Sequence, residues 1–295
     1  MSGSGCAAIP SAADPREVDL SSPSVARRQL SAQMRAKRIA TGKTIEQVAE
    51  DLEWSSTKVS NIETGRSKKP AVTDIRVLLD LYKVRDSAER EAILTLVRQS
   101  RESGWWNRYG DAIGGPYTSY EAGATGIRIF EPQYIPGLFQ TEAYAAAVAQ
   151  ATLIRDPDDI ARAVEARMRR QQLLTQLDPP TVWAVIHEAA LLMLRSHPEL
   201  FFPQVDRLIE LSEAPNNVTI QVLTTGAGLH AGMGGPFVIL DYEDAAAITF
   251  LETNTDGLYL EKPTEVTRYR QSFDRLVAKA LDPDEVPAYL RALAA

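Results

Sequence analysis

Residues 24–65 hold three apolar-periodic segments separated by turns too short for them to part, which confines them to one compact helical bundle. The first, residues 24–40, lacks Gly and Pro, sets Leu30 and Met34 on one face, and ends at Thr41-Gly42. Thr44 can cap the second, with Gln47 as its reciprocal partner and Val48, Ala49 and Leu52 as its buried stripe. After the short turn Glu53-Trp54, Ser55 can cap a third helix whose inward positions are Val59 and Ile62 and whose end is Gly65. Ala49 is small where the last two helices cross, and a bulkier side chain would push them apart. Trp54 is expected in the core beneath the turn. Two further periodic segments, residues 73–82 and 87–99, complete an all-α unit.

Charge is divided in the same way. The chain carries −7 overall, which spread evenly would oppose phosphate binding, but residues 24–70 hold ten Lys or Arg against five Asp or Glu, a balance of +5. Residues 1–23 carry −2 and the remainder −10. A basic head on an acidic body suits nucleic-acid binding by the head alone, although a solvated face also carries such a patch.

The strings Thr44-Ile45-Glu46-Gln47-Val48-Ala49 and Ser55-Ser56-Thr57-Lys58-Val59-Ser60-Asn61-Ile62-Glu63-Thr64-Gly65 resemble the Xre/Cro type of phage-repressor helix-turn-helix. The resemblance implies a third helix seated in the DNA major groove, with Ser56, Thr57 and Asn61 facing bases and Ser55, Lys58 and Ser60 near phosphates. Hydroxyls and an amide can read base edges, whereas a lysine neutralises phosphate without reading sequence. Arg66, Lys68 and Lys69 follow the helix and look like backbone clamps. The resemblance also implies a partly buried Arg38–Glu63 pair tying the first helix to the third; as a surface pair it would be worth little. One departure is Glu53, where this type often has glycine because the turn tends to positive φ.

At 295 residues, with 44% hydrophobic and 24% charged side chains, the chain has room for a second core. Turn formers concentrate from Ser103 to Gly110, around Trp105-Trp106, and at Gly114-Gly115-Pro116. The tryptophans there either pin a linker or stack on a ligand. Strands are predicted at 126–130, 181–186, 218–223, 236–241, 247–251 and 257–260, and helices at 141–150, 158–176, 188–194, 198–213 and 264–280. The expected architecture is multi-domain: a tail at 1–22, an all-α helix-turn-helix domain at 23–100, a linker at 101–119, and an α+β domain at 120–295 with a mainly antiparallel, hairpin-connected sheet. No apolar run is long enough to span a membrane, the opening stretch does not read as a secretory signal, and the lone Cys6 can neither pair within the chain nor complete a zinc site. A cytoplasmic protein without metal or cofactor is expected.

Tyr134-Ile135-Pro136-Gly137-Leu138-Phe139-Gln140-Thr141, Glu165-Ala166-Arg167-Met168-Arg169-Arg170-Gln171, Glu188-Ala189-Ala190-Leu191 and Asn217-Val218-Thr219-Ile220-Gln221-Val222 are similar to the C-terminal domain of a family of actinomycete Xre-type regulators. That domain is called antitoxin-like, and some members are described as WhiJ-like developmental regulators. The likeness implies transcriptional control beside a small partner protein, with no established ligand or catalytic residues. Met193-Leu194-Arg195-Ser196-His197-Pro198 departs from the family's more basic, glycine-containing turn.

Enzyme readings fare poorly. His187-Glu188 begins like a zinc-protease helix but Leu191 stands where the second histidine belongs, and Gly3-Ser4-Gly5 lacks a strand-turn-helix context. Gly226-Ala227-Gly228-Leu229-His230-Ala231 mimics a dinucleotide fingerprint, yet Gly232-Met233-Gly234-Gly235-Pro236 cannot open the helix such a loop requires, so a flexible hairpin loop is expected. Glu131, Glu188 and Glu252 can converge at strand ends as an acid-base set, although carboxylates are common there. Arg167 and Arg170 share a helix face as an anion or partner site, or as a solvated face braced by Glu165. Tyr134, Gln140 and His230 mark an expected cavity between the Pro-Gly turn and the glycine-rich loop.

These observations point to a non-enzymatic, homodimeric, repressor-like regulator that binds a double-stranded DNA operator and whose acidic domain senses a small molecule or a small partner protein. An antitoxin-type protein that sequesters its neighbour, and an enzyme with a DNA-binding head, are the alternatives.

Overall fold

The computed structural model describes residues 22–102, 116–152, 154–215, 217–253 and 257–295. Trp105, Trp106 and most of the expected linker lie outside these residues, as do Cys6 and Gly3-Ser4-Gly5.

The head comprises α1 (Pro23–Ala40), α2 (Ile45–Asp51), α3 (Ser56–Glu63), α4 (Val72–Leu81) and α5 (Ser87–Gln99). Local signals set its boundaries. Thr44 and Gln47 form both halves of the capping box at α2, Ser55 Oγ accepts from Lys58 N–H at the start of α3, and Gly65 takes φ 71° just beyond its end. Leu30, Met34, Val48, Val59, Ile62, Ile75, Leu78 and Ile93 close a single core, with Trp54 and Leu52 packed against its edge.

The body starts at α6 (Tyr117–Ala122), three residues inside the stretch assigned to the linker, with Tyr117, Thr118 and Ser119 buried. It continues through β1 (Gly126–Glu131), α7 (Glu142–Ala151), α8 (Pro157–Arg170), β2 (Thr181–His187), α9 (Glu188–Leu194), α10 (Pro198–Glu213) and β3 (Val218–Leu223). β4 (Phe237–Asp241), β5 (Ile248–Glu252), β6 (Gly257–Leu260), α11 (Pro263–Val277) and α12 (Val286–Ala294) complete it. The strands form one mixed sheet in the order β3-β2-β1-β4-β5-β6. β4, β5 and β6 pair antiparallel outward from β1, and most pairings are of this kind. β1, β2 and β3 instead run parallel, with Ile127 opposite Val182 and Val182 opposite Val218. Each parallel step is bridged by two helices, the long crossover that parallel strands need.

Alternation along the strands sends side chains to two cores. Ile127, Ile129, Val182, Ala184, Ile220 and Leu240 meet α7, α9, α10 and α12, whereas Phe130, Val185, Phe237 and Ile239 meet Phe273 and Leu276 of α11. β3 and β4 are not neighbours, so the 224–236 connection is not a hairpin loop as expected. It crosses the carboxyl ends of β2 and β1, where Gly232 lies so close to the Phe130 ring that a Cβ would stand 2.2 Å from it. After a 3-10 turn at Thr225–Ala227 no helix follows, consistent with rejection of the dinucleotide reading.

The two parts share α1. Its first turn lies on the body: Val25 joins the body core, the Ser22 hydroxyl donates to the Ser119 carbonyl, and Ser24 N–H donates to Ser119 Oγ at 3.3 Å. Arg28 reaches Glu261 Oε2 at 2.9 Å and the carbonyls of Ala246 and Ala247.

Candidate nucleic-acid interface

α3 turns one face inward through Val59 and Ile62 and leaves the other open. Ser55, Ser56 and Thr57 are exposed, and Ser60 and Asn61 are half-buried beside them. Beyond the helix the backbone bends back, with Ser67 N–H on the Asn61 carbonyl at 3.0 Å, and Arg66, Lys68 and Lys69 stand exposed to solvent. Of the expected readers and clamps, Ser55, Thr57, Lys58, Asn61 and Lys69 line one open recess. Lys58 is the exception in state: its ammonium is 2.9 Å from Asp74 Oδ1 and 3.6 Å above the Trp54 ring. Sequence reasoning missed Asp74, which belongs to α4 and carries no local signal linking it to α3.

The orientation of α3 is fixed from α1. Arg38 Nε sits 2.8 Å and 3.0 Å from the two Glu63 oxygens and Nη2 2.9 Å from Oε2, with only 12% and 3% of the two side chains exposed. Arg38 Nη1 also donates to the Lys43 carbonyl, and Ser31 Oγ donates to the Ile62 carbonyl at 2.7 Å. The hydrogen bond to Glu63 raises the Arg38 pKa despite burial, and burial with the Glu63 charge raises that of Tyr82 alongside. This is the buried tie that the resemblance implied.

The candidate residues of the body form two separate groups. Arg167 donates to Gln140 Oε1 at 2.8 Å, Gln140 donates to the Ile135 carbonyl, and Gln171 donates to the carbonyls of Gly137 and Gln140. Arg170 makes paired 2.8 Å bonds to Glu121 and lies over the Tyr117 ring. Arg170 thus ties α8 to α6 through Glu121, while Arg167 and Gln171 tie α8 to the Pro136-Gly137 turn. Tyr134 is exposed at the rim of that turn. Beside it Glu131, at the carboxyl end of β1, has its pKa pushed up to about 8 by burial and the Glu252 charge, which Arg167 only partly offsets.

His230 lies elsewhere, over the face that α11 covers. Its ring is 5.7 Å from Phe130 and 5.5 Å from His187, and its Nδ1 accepts from Gly232 N–H. Burial, with His187 and Lys279 nearby, lowers its pKa. Gln140, bonded to Ile135 of one core, and His230, against Phe130 of the other, thus lie toward opposite faces of the sheet. Glu188 also departs from the expected set: burial works against its charge, but Thr225 and Tyr289 hydrogen bonds hold its pKa down.

Residues 29–93 match a family described as a helix-turn-helix domain. Residues 115–292, more than half of the chain, match a domain of unknown function, DUF5753. The chain belongs to the DUF5753 family. Its DUF5753 region takes in the sheet and all its covering helices from α6 into α12, and the helix-turn-helix ahead of it is that of a DNA-binding regulator. No curated protein and no solved structure matches the chain. Among the described residues of this DUF5753 chain, no helix is long and apolar enough to cross a membrane.

Proposed function

We propose that the chain is a sequence-specific, repressor-like regulator that binds an operator as a homodimer. Ser56, Thr57 and Asn61 read base edges, Ser55 and Ser60 face phosphate, and Arg66, Lys68 and Lys69 clamp the backbone. The carrying observation is the open polar face of α3, lying beside three exposed cations and held rigidly from behind by the Arg38–Glu63 tie. One short helix reads only a few base pairs, so a discriminating site takes two copies about one helical turn apart. The DUF5753 body sets when the head binds, sensing a small molecule or a small partner protein, and α1 carries that state because its first turn belongs to the body and its last to α3.

Selection of duplexes from a randomised pool, followed by footprinting, tests this reading. The expected product is a two-fold site protected in two halves. On that site Asn61→Ala should cost about 1–3 kcal/mol and relax one position per half, whereas Lys69→Ala should weaken every duplex alike and lower the salt slope by about one. Equal losses on selected and shuffled duplexes for both variants would remove the division into readers and clamps.

A further inference from the structure

Lys58 leaves α3 where a phosphate contact is expected, yet its ammonium is held by Asp74 Oδ1 at 2.9 Å and lies 3.6 Å above the Trp54 ring. Asp74 stands in the first turn of α4, 16 residues further along the chain. With Thr57, Asn61 and Lys69 the two side chains line an open recess of about 360 Å³ beside the base-facing side of α3. A DNA backbone approaching Lys58 or Lys69 in that recess also meets the Asp74 carboxylate. As a stabilising bridge the pair contributes little, because 38% of the Lys58 side chain and 26% of that of Asp74 remain open to water. Asp74 does favour the start of α4, as an acid in a first helical turn does, but a Glu or Asp anywhere in that turn would serve equally. Its place against Lys58 calls for a reason at the DNA surface.

We propose that Asp74 is a specificity-determining residue: it withholds Lys58 from phosphate and so weakens binding to duplexes whose bases α3 does not read. The proposal rests on the DNA-binding reading above. Complexes on unrelated sequence are held almost entirely by cation–phosphate contacts. A lysine released from its carboxylate adds one such contact there and adds nothing to base readout. On the operator, hydrogen bonds from Ser56, Thr57 and Asn61 hold the register, and in that register Lys58 stays with Asp74 and Trp54. The carboxylate thus lowers affinity where cations alone act and spares it where base edges act, which widens the ratio between the two.

The experiment uses the full chain and two probes, the duplex enriched from a randomised pool and a shuffled duplex of the same length and composition, each titrated across a salt series. Asp74→Asn should bind the shuffled duplex about three- to fivefold tighter, with a salt slope steeper by about one, and the selected duplex tighter by under about twofold. Asp74→Glu, which keeps the charge, should restore wild-type discrimination. In a Lys58→Ala background Asp74→Asn should tighten the shuffled duplex by less than half as much, the remainder being direct repulsion of phosphate by the carboxylate near Lys69. Equal tightening on both probes, no tightening on either, or a gain undiminished without Lys58 would overturn the proposal and leave DNA binding standing. A wild-type chain that enriches no duplex would instead overturn the DNA-binding reading itself.

Discussion

Glu53 holds a backbone conformation that side chains with a Cβ rarely adopt, with φ 52° in the turn between α2 and α3. Trp54 N–H then donates to the Ala49 carbonyl at 2.8 Å, which closes the turn and sets the start of α3. Left-handed backbone costs a non-glycine residue about 1–2 kcal/mol, and glycine's greater freedom when unfolded returns part of this. Glu53→Gly should therefore stabilise the head by about 0.5–1 kcal/mol, read as a higher denaturant midpoint with unchanged slope. An unaltered or lower midpoint would show that the turn carries no strain. A second residue answers to pH. Glu131, packed beside Glu252, Arg167 and Tyr144, has a pKa raised from 4.5 to about 8 in the folded chain. Its protonated form is favoured by folding, so the stability it contributes is complete below about pH 4.5 and is lost as pH rises through about 8. Glu131→Gln should flatten that decline and leave the chain about 2 kcal/mol more stable than wild type at alkaline pH, with little difference near pH 4. Parallel melting profiles of the two chains across this range would rule it out.

At the scale of elements, α1 and α3 behave as one piece because a nearly buried ion pair joins them. Removing one partner leaves the other charge buried and unpaired, so Arg38→Ala should cost the head about 3–5 kcal/mol, and Arg38→Met with Glu63→Leu together should cost much less. Chemical unfolding of the two variants measures this; equal losses would mean the pair acts through packing alone. The elements of the head were legible in the sequence because their signals are short-range: the Thr44–Gln47 box, the Ser55 cap and the positive φ of Gly65 all operate within a few residues. Glu53 was legible only through the glycine that the resembling family often has there, and the equivalent φ of 59° at Lys83 gave no such warning. The helix α12 was missed although Asp282 and Glu285 form a capping box just before it; the sequence reading ended with the helix at 264–280. Of the candidate interface, the open face of α3 followed from periodicity. The Lys58–Asp74 contact did not, because it joins two helices across a turn that periodicity cannot orient.

For the whole molecule, sheet order and the seating of head on body depend on contacts between distant residues, and neither has a local signature. Strand positions could be read from alternation, but the parallel β1-β2-β3 half could not, since a crossover and a hairpin begin with the same strand pattern. The same limit hid the α1 seat. Gly123 marks it: its φ of −99° is open to any residue, so the glycine answers to crowding and not to backbone conformation. A Cβ there would stand 2.6 Å from Ser22 Cβ, at the N-cap of α1, and 3.1 Å from Val25 Cγ2 in its first turn. Gly123→Val should lift that turn off the body while leaving the head core, built from Leu30 onward, intact. Amides of Ser24 and Val25, now bonded to Ser119 Oγ and Ser22 Oγ, should then exchange with solvent much faster, and those of α3 should not change. Calorimetry should show the head and body unfolding in separate transitions where the wild-type chain couples them. If exchange at Ser24 and Val25 stays slow and unfolding keeps its wild-type form, α1 is not the element that joins the two, and control of the head by the body must run through another contact.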